Sequence, residues 1–280
     1  MTPFSARIGI IGVGQIGKRH LERYATIPGV QVVAASDVSS VELERVAGKH
    51  GIAHTYADFR ELLKRDDLVA VDVCLHNNLH APVTIAALQA GKHVFCEKPI
   101  AGSYADGKEM VKAAKECGRM LSIQLNRLFR KETKIAKRMI DAGRLGRIYH
   151  ARSIGFRRRG RPFVDGYGTA SFVQKATSAG GALIDMGVYH ISEMLYLLGQ
   201  PEVARISGKV YQETGMDAAR RTESRYDVEE LGMGLVRFTN GATLDILESW
   251  AIHLNHFESS WIVGAEGGLR LDLELPQHPR

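Results

Sequence analysis

The 280-residue sequence lacks several features that would assign it to common classes of protein. No apolar run approaches the roughly 18 residues that a membrane-spanning helix requires, and the start has no charged segment followed by a long apolar one. The three cysteines, Cys74, Cys96 and Cys117, are odd in number and lack the spacing of metal ligands. We therefore expect a soluble cytoplasmic protein with reduced, packed thiols, no metal site and no membrane partner.

The sequence also lacks internal repeats, low-complexity tracts and any recognised nucleic-acid-binding module. Its net charge of +6 comes largely from one run, "RRRGR" at 157–161. Runs of like charge are usually solvated, so we interpret this one as a solvated loop. Contact with an anionic group on a small substrate is the alternative, and we predict no nucleic-acid partner.

Residues 1–126 alternate short β-branched runs with amphipathic stretches, a pattern typical of a parallel sheet covered by helices. Strands are predicted over 7–13, 30–37, 69–75, 93–97 and 120–125, with one of the helices over 40–50. This pattern predicts an α/β domain with a doubly wound, Rossmann-type parallel sheet.

Residues 127–280 contain long alternating runs with few helices between them, and Asn240-Gly241 joins two of these runs as a predicted hairpin turn. Helices are predicted over 131–143 and, as one continuous apolar helix, over 180–199. The second domain is therefore predicted to be a largely antiparallel α+β unit.

The segment "GVGQIG" supplies Gly12, Gly14 and Gly17 as G-x-G-x-x-G between a predicted strand and a predicted helix. The first glycine permits a tight turn, the second lets the backbone approach a pyrophosphate, and the third lets helix and strand pack closely. The phosphates would lie at the start of the helix, beside Gln15 and Ile16. The motif predicts a dinucleotide cofactor.

Asp37 ends the second predicted strand, 20 residues after Gly17. A carboxylate there accepts hydrogen bonds from both ribose hydroxyls and repels a 2′-phosphate, which favours NAD over NADP. A helix-capping or turn role is the alternative for Asp37. NADP is not excluded, because Lys18 and Arg19 lie nearby in the sequence.

Further polar residues follow two predicted strands at the edge where doubly wound folds bind ligands. His76, Asn77 and His80 are predicted to line the nicotinamide side of the cofactor, with turn formation or helix capping as the alternative. Glu97 and Lys98 follow the next strand. The ammonium of Lys98 is suited to stabilising a developing alkoxide or relaying its proton, and a surface ion pair with Glu97 is the alternative.

The segment "GGALIDMGVYHISEMLYLLG" carries Asp185, Tyr189 and His190. In one continuous helix Asp185 and Tyr189 would share a face, and His190 would be rotated by about 100° from Tyr189. A carboxylate within so apolar a helix is costly unless paired, which favours an acid-base role for Asp185 over a core one.

These motifs together resemble the family of glucose-fructose oxidoreductase, inositol dehydrogenase and rhizopine-catabolism proteins, written Gfo/Idh/MocA. The matching segments are "GVGQIG", "NNLHAPV", "HVFCEKPI", "LNRLF" and "GGALIDMGVYH", in family order over roughly residues 7–272. The resemblance implies an NAD(P)-dependent oxidoreductase that acts on a ring alcohol of a sugar or cyclitol. It also implies an open sheet in the second domain, which serves substrate binding and forms the interface of a homodimer or homotetramer. Relatives typically continue beyond the segment "GAEGGLRLD" through further strands, so we expect either a C-terminally shortened chain or a smaller C-terminal sheet.

The resemblance implies roles for individual residues. Lys98 matches the family lysine that contacts substrate and nicotinamide ribose, Asp185 matches the catalytic aspartate, and Arg127 matches a region near the substrate. The family position four residues after the aspartate is often histidine, whereas here it is Tyr189, with His190 next. The proton-transfer group is thus left open among Tyr189, His190 and Lys98.

Two other activities share most of these motifs. One is an NAD(P)-binding sensor or regulator without turnover, and the other is a glycosidase that oxidises its substrate transiently with bound NAD. The basic run and Arg127 also hint at an acidic sugar as substrate.

Overall fold

A computed structural model describes residues 5–256 and 258–271. The chain divides into two compact units, Met1–Gln124 and Leu125–Arg280. The boundary lies two residues before the predicted one at Asn126. The predicted fold class is confirmed for each unit taken by itself.

The first unit contains a six-stranded sheet in the order β3-β2-β1-β4-β5-β6, in which every pair of neighbours is parallel. Its strands are β1 (Ala6–Ile11), β2 (Val30–Ser36), β3 (His54–Tyr56), β4 (Ala70–Val73), β5 (His93–Cys96) and β6 (Leu121–Ile123). Sequence patterning missed β3, because its three residues "HTY" carry no apolar run. The order reverses between β1 and β4, the kind of position where such sheets bind ligands.

Five helices cover this sheet: α1 (Gln15–Tyr24), α2 (Ser40–His50), α3 (Phe59–Leu63), α4 (Asn77–Gln89) and α5 (Tyr104–Glu116). Helix α2 has the predicted bounds. Its first turn is capped by Ser39, whose side chain accepts from the Glu42 amide, and it stops at Gly51, whose φ of 67° is left-handed. Successive β1 residues Ile10 and Ile11 enter hydrophobic clusters on opposite faces of the sheet, so both faces are buried.

The second unit contains a six-stranded sheet in the order β12-β11-β7-β10-β9-β8. Its strands are β7 (Ile148–Phe156), β8 (Val203–Tyr211), β9 (Leu231–Phe238), β10 (Thr243–Ser249), β11 (Ser260–Gly264) and β12 (Gly268–Leu271). Strands β7 and β10 are parallel, and the other neighbouring pairs are antiparallel. The predicted hairpin at Asn240-Gly241 is confirmed: Gly241 has a φ of 86° and joins β9 to β10. The alternating run at 267–275 is described only as far as Leu271.

The helices of the second unit are α6 (Lys131–Asp141), α7 (Lys175–Ser178), α8 (Ala182–Asp185), α9 (Gly187–Leu197) and α10 (Ala218–Ser224), with short 3-10 turns at Asn126–Phe129 and Ala170–Val173. The prediction of one continuous helix over 180–199 is wrong, because the helix is interrupted at Met186, between α8 and α9. The carboxylate of Glu229 anchors the start of α8 by accepting from the Gly181 amide at 2.8 Å and the Leu183 amide at 3.0 Å. This contact comes from residues distant in sequence, so the apolar pattern did not reveal it.

One face of the second sheet packs on its hydrophobic cluster, and the other is partly open. Along β9, Gly232, Val236 and Phe238 are buried, whereas Met233 and Leu235 are 48% and 36% exposed. This alternation is typical of an antiparallel sheet with one covered face. Within the described ranges, no helix has the length and apolarity needed to cross a membrane.

Candidate active site

The glycine loop has the geometry that a dinucleotide requires. Gly12 has a φ of 94°, and a Cβ there would overlap the backbone carbonyl of Cys74; a Cβ at Gly17 would overlap the carbonyl of Gly12. Gly14 is the N-cap of α1, and no atom lies within 4 Å of where its Cβ would be. The first amides of a helix have no partner within it, so the amides following Gly14 are suited to phosphate oxygens. The loop thus fits a pyrophosphate.

The carboxylate of Asp37 lies beside this loop at the end of β2. Its Oδ2 accepts from the Val13 amide at 2.8 Å, and its Oδ1 accepts from the Ser39 amide at 2.9 Å. Each oxygen keeps a second acceptor site, so Asp37 is able to hold the loop and also accept from ribose hydroxyls. The Lys18 ammonium is ion-paired with Glu42. One of the two cations for which NADP was not excluded as the cofactor is therefore already paired with a carboxylate of the chain.

The residues after β4 differ in how they are placed. His76 is the N-cap of α4 and Asn77 is its first residue, and burial lowers the pKa of His76. His80 is fully buried, with Nδ1 2.7 Å from the Pro99 carbonyl oxygen and Nε2 3.1 Å from that of Leu75. Both ring nitrogens face backbone carbonyls, so the ring connects α4 to the turn after β5, and the contact of His80 with the cofactor stays a prediction.

Lys98 follows β5 at the same edge as the ends of β1, β2 and β4. Its side chain is half-buried, and its peptide bond to Pro99 is cis. The preceding Glu97 is 5% exposed, and its Oε2 accepts the Lys98 amide at 3.0 Å. The first unit therefore brings the glycine loop, Asp37, Asn77 and Lys98 to one edge of its sheet.

In the second unit, Asp185 is the last residue of α8. Its Oδ2 accepts from Nε1 of Trp250, which is fully buried directly after β10, at 3.1 Å. Tyr189 lies in the first turn of α9 and is half-buried. The helix is interrupted at Met186 between them, and the sharing of one face by Asp185 and Tyr189 stays a prediction. Sequence reasoning missed Trp250, whose only signal was an indole at the end of an alternating run.

His190 is directed away from solvent, toward β10. Its Nδ1 lies 2.9 Å from both carboxylate oxygens of Glu248, which is completely buried. Burial raises the pKa of Glu248, and the hydrogen bond from His190 opposes that rise. A Cβ at Gly155 on the neighbouring β7 would overlap both side chains, so glycine is needed for this approach. No local pattern in the sequence indicated the His190–Glu248 pair.

Arg127 lies in the 3-10 turn before α6, and its guanidinium faces the buried carboxylate of Glu193 on α9 at 3.5 Å. The hydroxyl of Thr133 also donates to this carboxylate. Burial lowers the pKa of Arg127 despite the ion pair. Arg127 thus has an internal counter-ion, which weakens the expectation that it binds an acidic substrate.

The interpretation of "RRRGR" as a solvated loop is wrong for Arg161, although Arg158 and Arg159 are exposed. Arg161 is 1% exposed and donates to the carboxylates of Asp165 and Glu230 at 3.0 Å. Its charge holds the loop together and is not free for a ligand.

Comparison with known proteins gives matches to both units. Residues 6–125 match the model of an oxidoreductase family with an NAD-binding Rossmann fold, and residues 133–270 match the GFO/IDH/MocA C-terminal domain. The D-glucoside 3-dehydrogenase of Escherichia coli K12 is 31% identical over 260 residues, which are 91% of this chain and 73% of that protein.

Two solved structures are similar over nearly the whole chain. GenD2 from gentamicin A biosynthesis, in complex with NAD, has a TM-score of 0.83 at 26% identity, covering 98% of this chain and 74% of its own. Levoglucosan dehydrogenase, in complex with NADH and levoglucosan, has a TM-score of 0.79 at 26% identity, covering 94% and 72%.

Proposed function

The chain belongs to the Gfo/Idh/MocA family of oxidoreductases with an NAD-binding Rossmann fold, and on that premise we propose that it is an NAD-dependent dehydrogenase of a neutral sugar or cyclitol. A secondary ring alcohol is the proposed substrate. Bound NAD would supply the acceptor for the hydride. Residues of the chain would bind and orient the alcohol and receive its hydroxyl proton.

Cofactor binding is assigned to the edge of the first sheet. The glycine loop from Gly12 to Gly17 would hold the pyrophosphate, and Asp37 would accept from the ribose hydroxyls. The observation that carries this proposal is the fit of the loop: an open position at Gly14 beside two glycines that no larger residue can replace. Asn77 and Lys98 would face the nicotinamide side.

Proton transfer is assigned to Tyr189, and Asp185 and Lys98 are assigned supporting roles in the reaction. His190 is held by buried Glu248 at 2.9 Å, which supports a structural role for this histidine. Asp185 accepts a hydrogen bond from the indole N–H of Trp250, which fixes the orientation of its carboxylate. Tyr189 is half-buried in the first turn of α9, which supports contact with a bound substrate.

The neutral character of the substrate is supported by two lines of observation. The partly buried Arg127 and the buried Arg161 are both paired with carboxylates of the chain. The relatives named for a D-glucoside and for levoglucosan act on neutral sugars.

The proposal is tested with a panel of glucosides, anhydrosugars, inositols and uronates, each incubated with NAD or NADP, while absorbance of the reduced nicotinamide is followed. We expect net NADH formation with a neutral substrate. Reduction of NAD by uronates alone would contradict the neutral substrate. Turnover without net NADH release would identify the transient-oxidation glycosidase, and cofactor binding without any turnover would identify a regulator.

Site residues are tested on the substrate that this panel finds. We expect Lys98→Met to lower kcat by at least about 10²-fold while NAD affinity changes little, because charge stabilisation at the reacting oxygen is lost. Lys112→Met, at an exposed lysine on α5, is the matched control and leaves kcat unchanged. If Lys98 and Asp185 act on one oxygen, the double variant with Asp185→Asn loses less than the product of the two single losses.

The proton-transfer assignment is tested by Tyr189→Phe and His190→Asn. We expect Tyr189→Phe to remove most of kcat. A larger loss of kcat in His190→Asn, in a variant that remains folded, would contradict the assignment.

We propose further that the protein is a cytoplasmic homo-oligomer. The half-open face of the second sheet, with Met233 and Leu235 exposed on β9, supports an interface between copies there. Three free cysteines support a reducing compartment. Light scattering of the purified chain and of Leu235→Glu tests the interface, and an unchanged mass in the variant would contradict it.

A further inference from the structure

A cluster of buried polar side chains lies beneath the turn that carries Lys98. His20 comes from α1, Asp72 and Cys74 from the end of β4, and Glu97 from the end of β5, and each is at most 6% exposed. Nδ1 of His20 lies 2.7 Å from Oδ2 of Asp72, and its Nε2 lies 3.0 Å from Oε1 of Glu97. The contact between Nε2 and Glu97 does not have the geometry of a hydrogen bond, so it is an ion pair between the ring and the carboxylate.

The charges of this cluster require a protonated imidazole. Two carboxylates buried side by side are costly unless a cation lies between them. Burial by itself lowers the pKa of His20, but the hydrogen bond to Asp72 and the contact with Glu97 raise it, to about 9. The other titratable groups facing the ring are Cys74, whose Sγ is 3.4 Å from Nδ1, and Tyr24 on the same helix. At neutral pH, His20 is thus an imidazolium.

A bound metal ion is a poorer explanation of the same residues. Ligand atoms of His20, Asp72 and Cys74 lie within 4.8 Å of one another. Two ligands of one tetrahedral metal ion lie roughly 3.4 Å apart, given metal–ligand distances of about 2.0–2.1 Å. The 2.7 Å between His20 and Asp72 is instead a charge-assisted hydrogen bond.

Glu97 connects this cluster to Lys98. Oε1 of Glu97 contacts the imidazolium of His20, and Oε2 accepts a hydrogen bond from the backbone N–H of Lys98 at 3.0 Å. The orientation of the carboxylate is therefore fixed from both sides. Helix α1, which carries His20, also begins at the glycine loop, so one buried cation ties the phosphate-binding helix to the lysine turn.

We propose that His20 is a positioning residue, which acts through Glu97 to hold Lys98 in the orientation needed for catalysis. Its role toward catalysis rests on the proposed function, whereas its hold on the Lys98 turn does not. Loss of the imidazolium would leave Asp72 and Glu97 facing each other without a counter-ion. Glu97 would then turn away, and the backbone at Lys98 would lose its acceptor.

The hold on the turn is tested by NMR without substrate or cofactor. Lys98-Pro99 is the only Lys-Pro pair in the sequence, so labelling lysine carbonyls with ¹³C and proline with ¹⁵N gives a single carbonyl–nitrogen signal for this turn. We expect this signal to shift between pH 7.5 and 10 with the same midpoint as the His20 ring. The shift should be lost in His20→Gln and retained in His54→Gln, a matched control at an exposed histidine.

Two results of this titration would overturn the proposal. One is a Lys98-Pro99 signal that does not change while the His20 ring titrates. The other is an equal shift in His20→Gln, which would assign the titration to the Lys98 amine itself. If His20→Gln does not fold, Glu97→Gln is used instead: we expect a lower His20 midpoint and no shift at the turn, and an unchanged midpoint would refute the contact.

The role in catalysis is tested by comparing kcat, KM and NAD affinity of His20→Gln with those of the unaltered protein. We expect kcat to fall at least about tenfold, because small misplacements of a reacting group are costly, while KM and NAD affinity stay within about threefold. A fall in NAD affinity without a fall in kcat would assign His20 to the glycine loop alone and reject the positioning role. If the unaltered protein oxidises no substrate, the proposed function fails, and the NMR result still decides the structural part.

Discussion

The buried imidazolium of His20 makes the stability of the protein depend on pH in a defined direction. The pKa of His20 is about 9 in the folded protein, against an ordinary value of 6.5. Since one pKa step is worth about 1.36 kcal/mol, the proton contributes at most roughly 3 kcal/mol to the free energy of unfolding. Because the pKa is raised on folding, the contribution is complete below pH 6.5 and is lost as the pH rises through 9.

The variant His20→Gln lacks this contribution at every pH. We therefore expect the unfolding free energy of the unaltered protein to exceed that of His20→Gln by the largest margin near pH 6. This margin should decrease by up to about 3 kcal/mol by pH 9.5. His54→Gln, at an exposed histidine, should show no such narrowing.

Urea denaturation followed by far-UV circular dichroism at several pH values measures this margin. Both tryptophans, Trp250 and Trp261, lie in the second unit, so their fluorescence separately reports the unfolding of that unit. A margin that stays constant from pH 6 to 9.5 would refute the reasoning, because it would mean that His20 binds its proton equally in the folded and unfolded chains.

Two further substitutions test the loops around the site. Gly17→Ala should weaken NAD binding, measured by calorimetry, at least about tenfold, because the added Cβ would overlap a backbone carbonyl of the glycine loop. In the control Gly48→Ala, in α2, the added Cβ meets no atom within 4 Å, and NAD affinity should stay unchanged. Equal affinities would contradict the close packing. Arg161→Leu leaves the buried carboxylate of Glu230 without its cation and should lower the unfolding free energy, measured by urea denaturation, by about 3–5 kcal/mol. In the control Arg158→Leu, at an exposed arginine, the unfolding free energy should change by less than about 0.5 kcal/mol. Similar losses in both arginine variants would show that the buried pair contributes little.

Local patterns in the sequence were sufficient for most of the fold. Strands buried on both faces appear as apolar runs, so β1, β2, β4 and β5 were predicted, while β3 has no such run and was missed. The break at Met186 was missed for a related reason: the apolar pattern of α8 continues into α9, and the anchor that fixes α8 is Glu229, which is 48 residues from Gly181.

The sequence by itself determined which residues are proposed for the site, because the glycine loop, Asp37, Lys98 and Asp185 lie in short motifs whose spacing has a local physical reason. Only the tertiary structure decided which charges are paired. His190 meets Glu248 across 58 residues, and His20 meets Asp72 across 52. Such pairs depend on which strands and helices become neighbours, and no local periodicity records that. The structure therefore assigned His190, Arg127 and Arg161 to internal partners, although their sequence context was equally compatible with ligand binding.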